Sequence, residues 1–285
     1  MSEREARSGK HSGLWFALVS AWLARALGGW VIALPVSLSV SQSGALASPA
    51  GDRVLFEAEA LWLAELLRRD GANLLAALRA SAVLLSLGLL LRACSSLLLY
   101  TAIAEPRPLL EVATRALTSV PRWLVLGGAE LLARVLLVLL GLLLAASVDS
   151  LAFSKNELWL SLPELLVLLT ITLTSGVLML LADVMRVGLV LAPRVGLRRL
   201  FDESLSRLRL EFSAFFGSFL ALCGAAALVF ALAARAVEWL DVGQPGAYRV
   251  AAVFGVHQAT LLTLVGIEYV WARWLFARLR PDSAG

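Results

Sequence analysis

The stretch that decides the fold is WLVLGGAELLARVLLVLLGLLLAAS, running from Trp123 to Ser147. Fourteen of its residues are leucine or valine, and its only charged side chains are Glu130 and Arg134. An α-helix rises about 1.5 Å per residue, so a run of this length crosses the roughly 30 Å hydrocarbon core of a bilayer. No water is present there to bind backbone groups, and a helix pairs all of them within the segment. On the insertion scale a midplane arginine costs roughly 2.5 to 3.5 kcal/mol and each leucine or valine returns about 0.3 to 0.6. Fourteen such residues offset most of the penalty of Glu130 and Arg134, so insertion alone demands no functional role for either charge.

Five further runs read the same way: Leu14 to Leu38, Ala80 to Ala104, Glu164 to Ala192, Ala214 to Ala236 and Val250 to Phe276. Whole-chain composition agrees, with 60% of 285 residues hydrophobic, only 16% charged and a mean hydropathy of +0.83. That is more apolar surface than one water-soluble core hides. The expectation is an all-α, polytopic bundle of six transmembrane helices, forming a single membrane domain over 1–285 with an outer loop at 39–79. Pro35 and Pro163 fall near span ends, where a missing amide donor costs least.

Arginine and lysine divide unevenly between the two sides of this bundle. The tail (Arg4, Arg7, Lys10), two connections (Arg107, Arg115, Arg122; Arg194, Arg198, Arg199, Arg207, Arg209) and the C-terminus (Arg273, Arg278, Arg280) carry fourteen. The opposite side carries seven, among stretches rich in acids. The positive side is retained in the cytoplasm, so both termini are predicted to lie there. Aromatic residues at the proposed boundaries fit an interfacial belt: Trp15, Tyr100, Trp123, Phe212, Trp271 and Trp274 on one side, Trp159, Trp239 and Tyr248 on the other. Of the 25 basic residues only Lys10 and Lys155 are lysine, a bias of GC-rich bacterial genomes, and the expected location is a bacterial inner membrane. A cleaved signal peptide ending near Ala45 and Ala47 is a rival reading of the first span, although its apolar run is long for one and contains Arg25.

The outer segment turns helical from Asp52, with Leu55, Ala58, Leu61, Trp62, Glu65 and Leu66 largely on one face and Gly71 breaking the pattern. This predicts a helix lying on the outer leaflet, or alternatively a lid or a partner-docking surface. Two connections on the positive side look alike. Pro106-Arg107 and Pro193-Arg194 each end a span, and each leads into an amphipathic stretch before the next. At an offset of 87, Pro106, Arg107, Leu110 and Arg122 meet Pro193, Arg194, Leu197 and Arg209. The pattern reads either as a parallel repeat or as two unrelated elbow helices on anionic lipid.

With Asp183, Met185, Arg186, Val187 and Val190 preceding the second elbow, the arrangement resembles poorly characterised bacterial membrane proteins of the glycerophosphoryl diester phosphodiesterase membrane-domain-like type. The likeness covers roughly Leu98 to Ala221 and rests on spacing and composition. It implies a six-span bundle and carries over no catalytic residue; the phosphodiesterase domain that sometimes accompanies such a bundle is not among these residues.

Ionisable side chains inside spans are the best pointers to function, because each must face the bundle interior, water or a partner. Arg25, Arg92 and Arg134 each lie about 18 Å from the positive edge, near midplane, while Glu130, Asp183, Arg186 and Glu268 lie shallower. Glu130 and Arg134 are spaced i, i+4 and Asp183 and Arg186 i, i+3, so each pair can meet on one helix face. Neither Arg25 nor Arg92 has an acid at that spacing on its own helix. Gly28 and Gly29 beside Arg25, and Gly88 beside Arg92, permit close helix contact and inward orientation. His257 and Glu268 share a face of the last span but are nearly three turns apart.

Cys94 and Cys223 lie inside apolar runs, and with two histidines the chain offers no obvious metal site. There is no phosphate-cradling glycine loop, dinucleotide fingerprint, zinc-protease helix or nucleophile elbow, so no cofactor or metal is expected. The expected partners are the lipid bilayer and protein subunits docking at the elbows, with no role for nucleic acid. Three functions remain open: a non-catalytic, permease-like component of transport or envelope assembly whose Arg25, Arg92 and Arg134 bind an anionic group; a scaffold docking partner proteins; and an intramembrane lipid-modifying enzyme using Glu130, Asp183, His257 or Glu268 as acid or base.

Overall fold

The computed structural model describes residues 3–42, 61–105, 107–151, 157–241 and 247–280. Among them there are seven helices and no strand: α1 (Glu3–Gln42), α2 (Leu61–Ala104), α3 (Leu109–Leu151), α4 (Glu157–Leu191), α5 (Leu197–Leu210), α6 (Phe212–Asp241) and α7 (Ala247–Leu279). All but α5 contain a stretch long and apolar enough to cross a membrane. The protein is a multi-pass, all-α integral membrane protein.

Three local expectations change. The start of the helix expected at Asp52 lies outside the described residues, but from Leu61 onward α2 continues through Gly71 into the span. A helical glycine costs only about 1 kcal/mol relative to alanine, and the leucines, alanines and arginines around Gly71 are strong helix formers. The first elbow is likewise no separate helix: α3 runs from Leu109 through Pro121 to Leu151. Pro121 removes one backbone bond, to the carbonyl of Leu117, an exposed residue whose oxygen can meet water or headgroups. The second elbow is separate, because the chain turns at Glu211 (φ −120°, ψ 30°) between α5 and α6.

The third change concerns the aromatic belt. Trp15, Trp239 and Tyr248 are exposed as a belt requires, whereas Tyr100, Trp123 and Trp271 are buried. They build a core of edge and stacked contacts: Tyr100 meets Trp123 at 5.3 Å and Phe276 at 6.0 Å, Trp271 stacks on Trp274 at 5.3 Å, and Phe215 meets Trp274 at 5.4 Å.

The chain divides into two compact units, Leu18–Ser96 on one hand and Met1–Ala17 with Leu97–Gly285 on the other. In the smaller unit, α1 and α2 approach at glycine, where a methyl added to Gly28 would stand 3.7 Å from the Gly88 Cα. The larger unit buries its side chains at the elbow end, around Leu97, Trp123, Leu180, Val187, Phe215 and Leu275. Its far halves, such as Leu139 to Leu144 of α3 and Leu166 to Leu169 of α4, leave most leucines exposed, the surface expected of helices solvated by acyl chains. Two glycines set close approaches at the elbow end. Gly13 lies against the Arg107 carbonyl, and Gly188 of α4 lies under Leu200 of α5, whose Leu200, Ser204 and Leu208 form its buried stripe.

Candidate functional site

The apolar run Leu180–Val190 of α4 carries Asp183 into the core, where it is 4% exposed. A lone carboxylate there would be costly, and its neighbours answer each oxygen. One oxygen accepts from the Arg186 guanidinium one turn on, at 2.6 Å, and the other accepts from the indole N–H of Trp271 on α7, at 2.9 Å. Arg186 also donates to Glu130 of α3, and Glu130 in turn receives Arg134 on its own helix. The Arg186 guanidinium lies 5.7 Å from the centre of the Trp123 ring, so the cation has an aromatic face as well as two carboxylates. Tyr100 packs against the same Trp123 and lies within electrostatic range of Asp183, Arg186 and Glu130.

Two carboxylates and two guanidinium groups make this cluster formally neutral. It joins α3, α4 and α7 through bonds that are short-ranged and directional. Arg134 is committed to Glu130, though its side chain remains one-third exposed. Spacing on one helix made the Glu130–Arg134 and Asp183–Arg186 pairs readable in advance. The cross-helix Glu130–Arg186 bridge and the roles of Trp123, Trp271 and Tyr100 were not, since boundary aromatics in a membrane sequence read as a belt.

Arg25 and Arg92 belong to the smaller unit. They stand on α1 and α2, each one helical turn from the Gly28–Gly88 approach. The Arg92 side chain is exposed and that of Arg25 is half-buried. His257 is exposed on α7 and Glu268 half-buried, about 16 Å apart by helical rise, and the fold does not bring them together. Cys94 and Cys223 are free thiols, and among the described residues no three of His, Cys, Asp and Glu are grouped to hold a metal.

The elbows carry a second set of charges. At the first, Glu105 receives Arg107 at 2.7 Å and Arg115 at 2.5 Å, and Glu111 receives Arg107 at 3.3 Å. These groups line an open groove of about 380 Å³ together with Thr101 and Thr118. Arg122 donates to the carbonyls of Pro193 and Val195, fastening the first elbow to the turn of the second. Glu211 at the α5–α6 turn receives Arg278 of α7 at 2.9 Å, and Arg278 also lies over Trp274 at 5.6 Å.

No protein-family model, curated protein or solved structure matches this chain.

Proposed function

We propose that this chain is a non-catalytic, permease-like component of a bacterial inner membrane, serving transport or envelope assembly and receiving an anionic group at Arg25 and Arg92. Both termini lie in the cytoplasm on this reading, as the arginine distribution argues. The family likeness drawn from the Pro-Arg elbows belongs to the same proposal.

The observation that carries it is the placing of two arginines on adjoining helices beside a close glycine approach. Arg25 of α1 and Arg92 of α2 each stand one helical turn from the Gly28–Gly88 approach, at the same level of the two helices. An anion between them would be attracted by both, and arginine forks suit carboxylate and phosphate alike. Arg134, grouped with them in the sequence reading, has Glu130 as its partner and is assigned to the buried cluster. The enzyme reading is weaker because exposed His257 stands about 16 Å by helical rise from Glu268, the acid of its own helix.

Thermal unfolding of the purified protein in detergent tests this, with inorganic phosphate, sulfate and acetate as probes. A site-binding anion at about a hundredfold its Kd stabilises the fold by about 2.7 kcal/mol. The expected result is an anion-dependent rise in the melting temperature that is lost in R25Q/R92Q. An equal rise in that variant, or none in the parent protein, would overturn the reading.

A further inference from the structure

The second elbow has cations to spare. At the first elbow Arg107 and Arg115 are held by Glu105 and Glu111, and Arg122 is spent on two carbonyls. At the second, Arg199 pairs with Glu203 at 2.8 Å, and Arg207 donates to the Leu279 carbonyl at 3.1 Å. Arg194, Arg198 and Arg209 are exposed and make no ion pair among the described residues. Asp202 sits one turn beyond Arg198 without pairing to it, and Glu211 is taken by Arg278. The patch therefore keeps a positive surplus.

Its place and pattern say what that surplus meets. The elbow joins the end of one crossing, at Leu191, to the start of the next, at Phe212, so it lies at the membrane boundary. Successive residues of a helix are turned by about 100°. Going round α5 from the buried stripe of Leu200, Ser204 and Leu208, the exposed Phe201 comes first, and Arg198 and Arg209 follow about 70° further on. The order is protein core, then an apolar side chain in the open, then guanidinium groups, and it matches core, acyl chain and headgroup in a leaflet. Phe212, also exposed, follows at the helix break.

We infer that α5 and its leading turn form a binding surface for anionic phospholipid, with Arg194, Arg198 and Arg209 on headgroup phosphates and Phe201 among the acyl chains. This surface is separate from Arg25 and Arg92 and stands whether or not those residues take an anion. At the first elbow Glu105 and Glu111 answer Arg107 and Arg115, and Arg122 is held by carbonyls, so these arginines do not set the preference.

Native mass spectrometry of the full-length protein in detergent, titrated with phosphatidylglycerol or phosphatidylcholine, reads the surface directly. Each arginine near an anionic surface is worth about fivefold in affinity, so three together give about a hundredfold. The parent protein is expected to prefer phosphatidylglycerol, R194Q/R198Q/R209Q to lose that preference by about a hundredfold, and R107Q/R115Q to retain it. All three substituted positions in the triple variant are exposed, and an unchanged melting temperature verifies its fold. R198E/R209E supplies a second test, with the preference reversed toward the zwitterionic lipid. A preference that survives in the triple variant, is missing from the parent, or depends instead on Arg107 and Arg115 overturns the inference.

Discussion

Two clusters in the larger unit are made from the same parts, a pair of acids and a pair of arginines, and differ in where they stand. Glu105, Arg107, Glu111 and Arg115 sit in an open groove with side chains 36% to 56% exposed. Glu130, Arg134, Asp183 and Arg186 sit in the core, where the side chains of Glu130 and Asp183 are 10% and 6% exposed. Water and salt screen the first set, and an exposed pair contributes between nothing and about 1 kcal/mol. In the second set Glu130, Asp183 and most of Arg186 have lost their water, with only Arg134 one-third exposed, so the two acids depend on their cations. Burial, and not the number of pairs, sets what a cluster holds together.

The largest expected effect comes from withdrawing the cation that the buried acids share. Arg186→Met leaves Asp183 and Glu130 facing one another's element without it, and the expected loss is about 3 to 5 kcal/mol, read as thermal unfolding in detergent. Replacing all four members by apolar residues of similar size is expected to recover much of that loss, because the desolvation cost leaves with the charges. An Arg186→Met protein as stable as its parent would break the distinction between the clusters.

Trp271→Phe comes next. It keeps the ring among Phe219 and Trp274 but removes the N–H that Asp183 accepts at 2.9 Å. A hydrogen bond to a charged group contributes about 1.5 to 3 kcal/mol, and a loss of that size is expected. Combined with Asp183→Asn in a double-mutant cycle, the two losses are expected to fall short of adding, since both act on one contact. Full additivity would place the stabilising role of Trp271 in its ring stacking alone.

The six spans were readable because apolar run length is a local property, and so were the on-helix pairs, because i, i+3 and i, i+4 spacing fixes who can meet. Glu130 and Arg186 are 56 residues apart, and nothing in either neighbourhood names the other. Trp123 and Trp271 misled for a physical reason: an indole at a span end serves equally as a headgroup anchor and as a donor or cation face in a core. The elbows also share a sequence pattern and part in structure. The first, with Pro121 inside its amphipathic stretch, stays a continuous helix, while the second, with no proline from Leu197 to Leu210, bends at Glu211, where Arg278 holds the turn from another helix. That tether is tertiary and leaves no local trace.

The smallest effect is expected at the open groove. Arg107→Gln removes a guanidinium that touches Glu105 and Glu111, yet Arg115 still answers Glu105, and Glu111 is exposed enough to be hydrated. The expected loss is under about 1 kcal/mol, within the range of exposed pairs. Salt separates it from the buried case more sharply than magnitude does. The Debye length falls to about 3 Å in 1 M salt, so parent and Arg107→Gln protein are expected to unfold at the same temperature there, while the Arg186→Met deficit persists. If the Arg107→Gln deficit also persisted at high salt, the groove would be behaving as a desolvated site, and the contrast between the two clusters would rest on something other than their exposure to water.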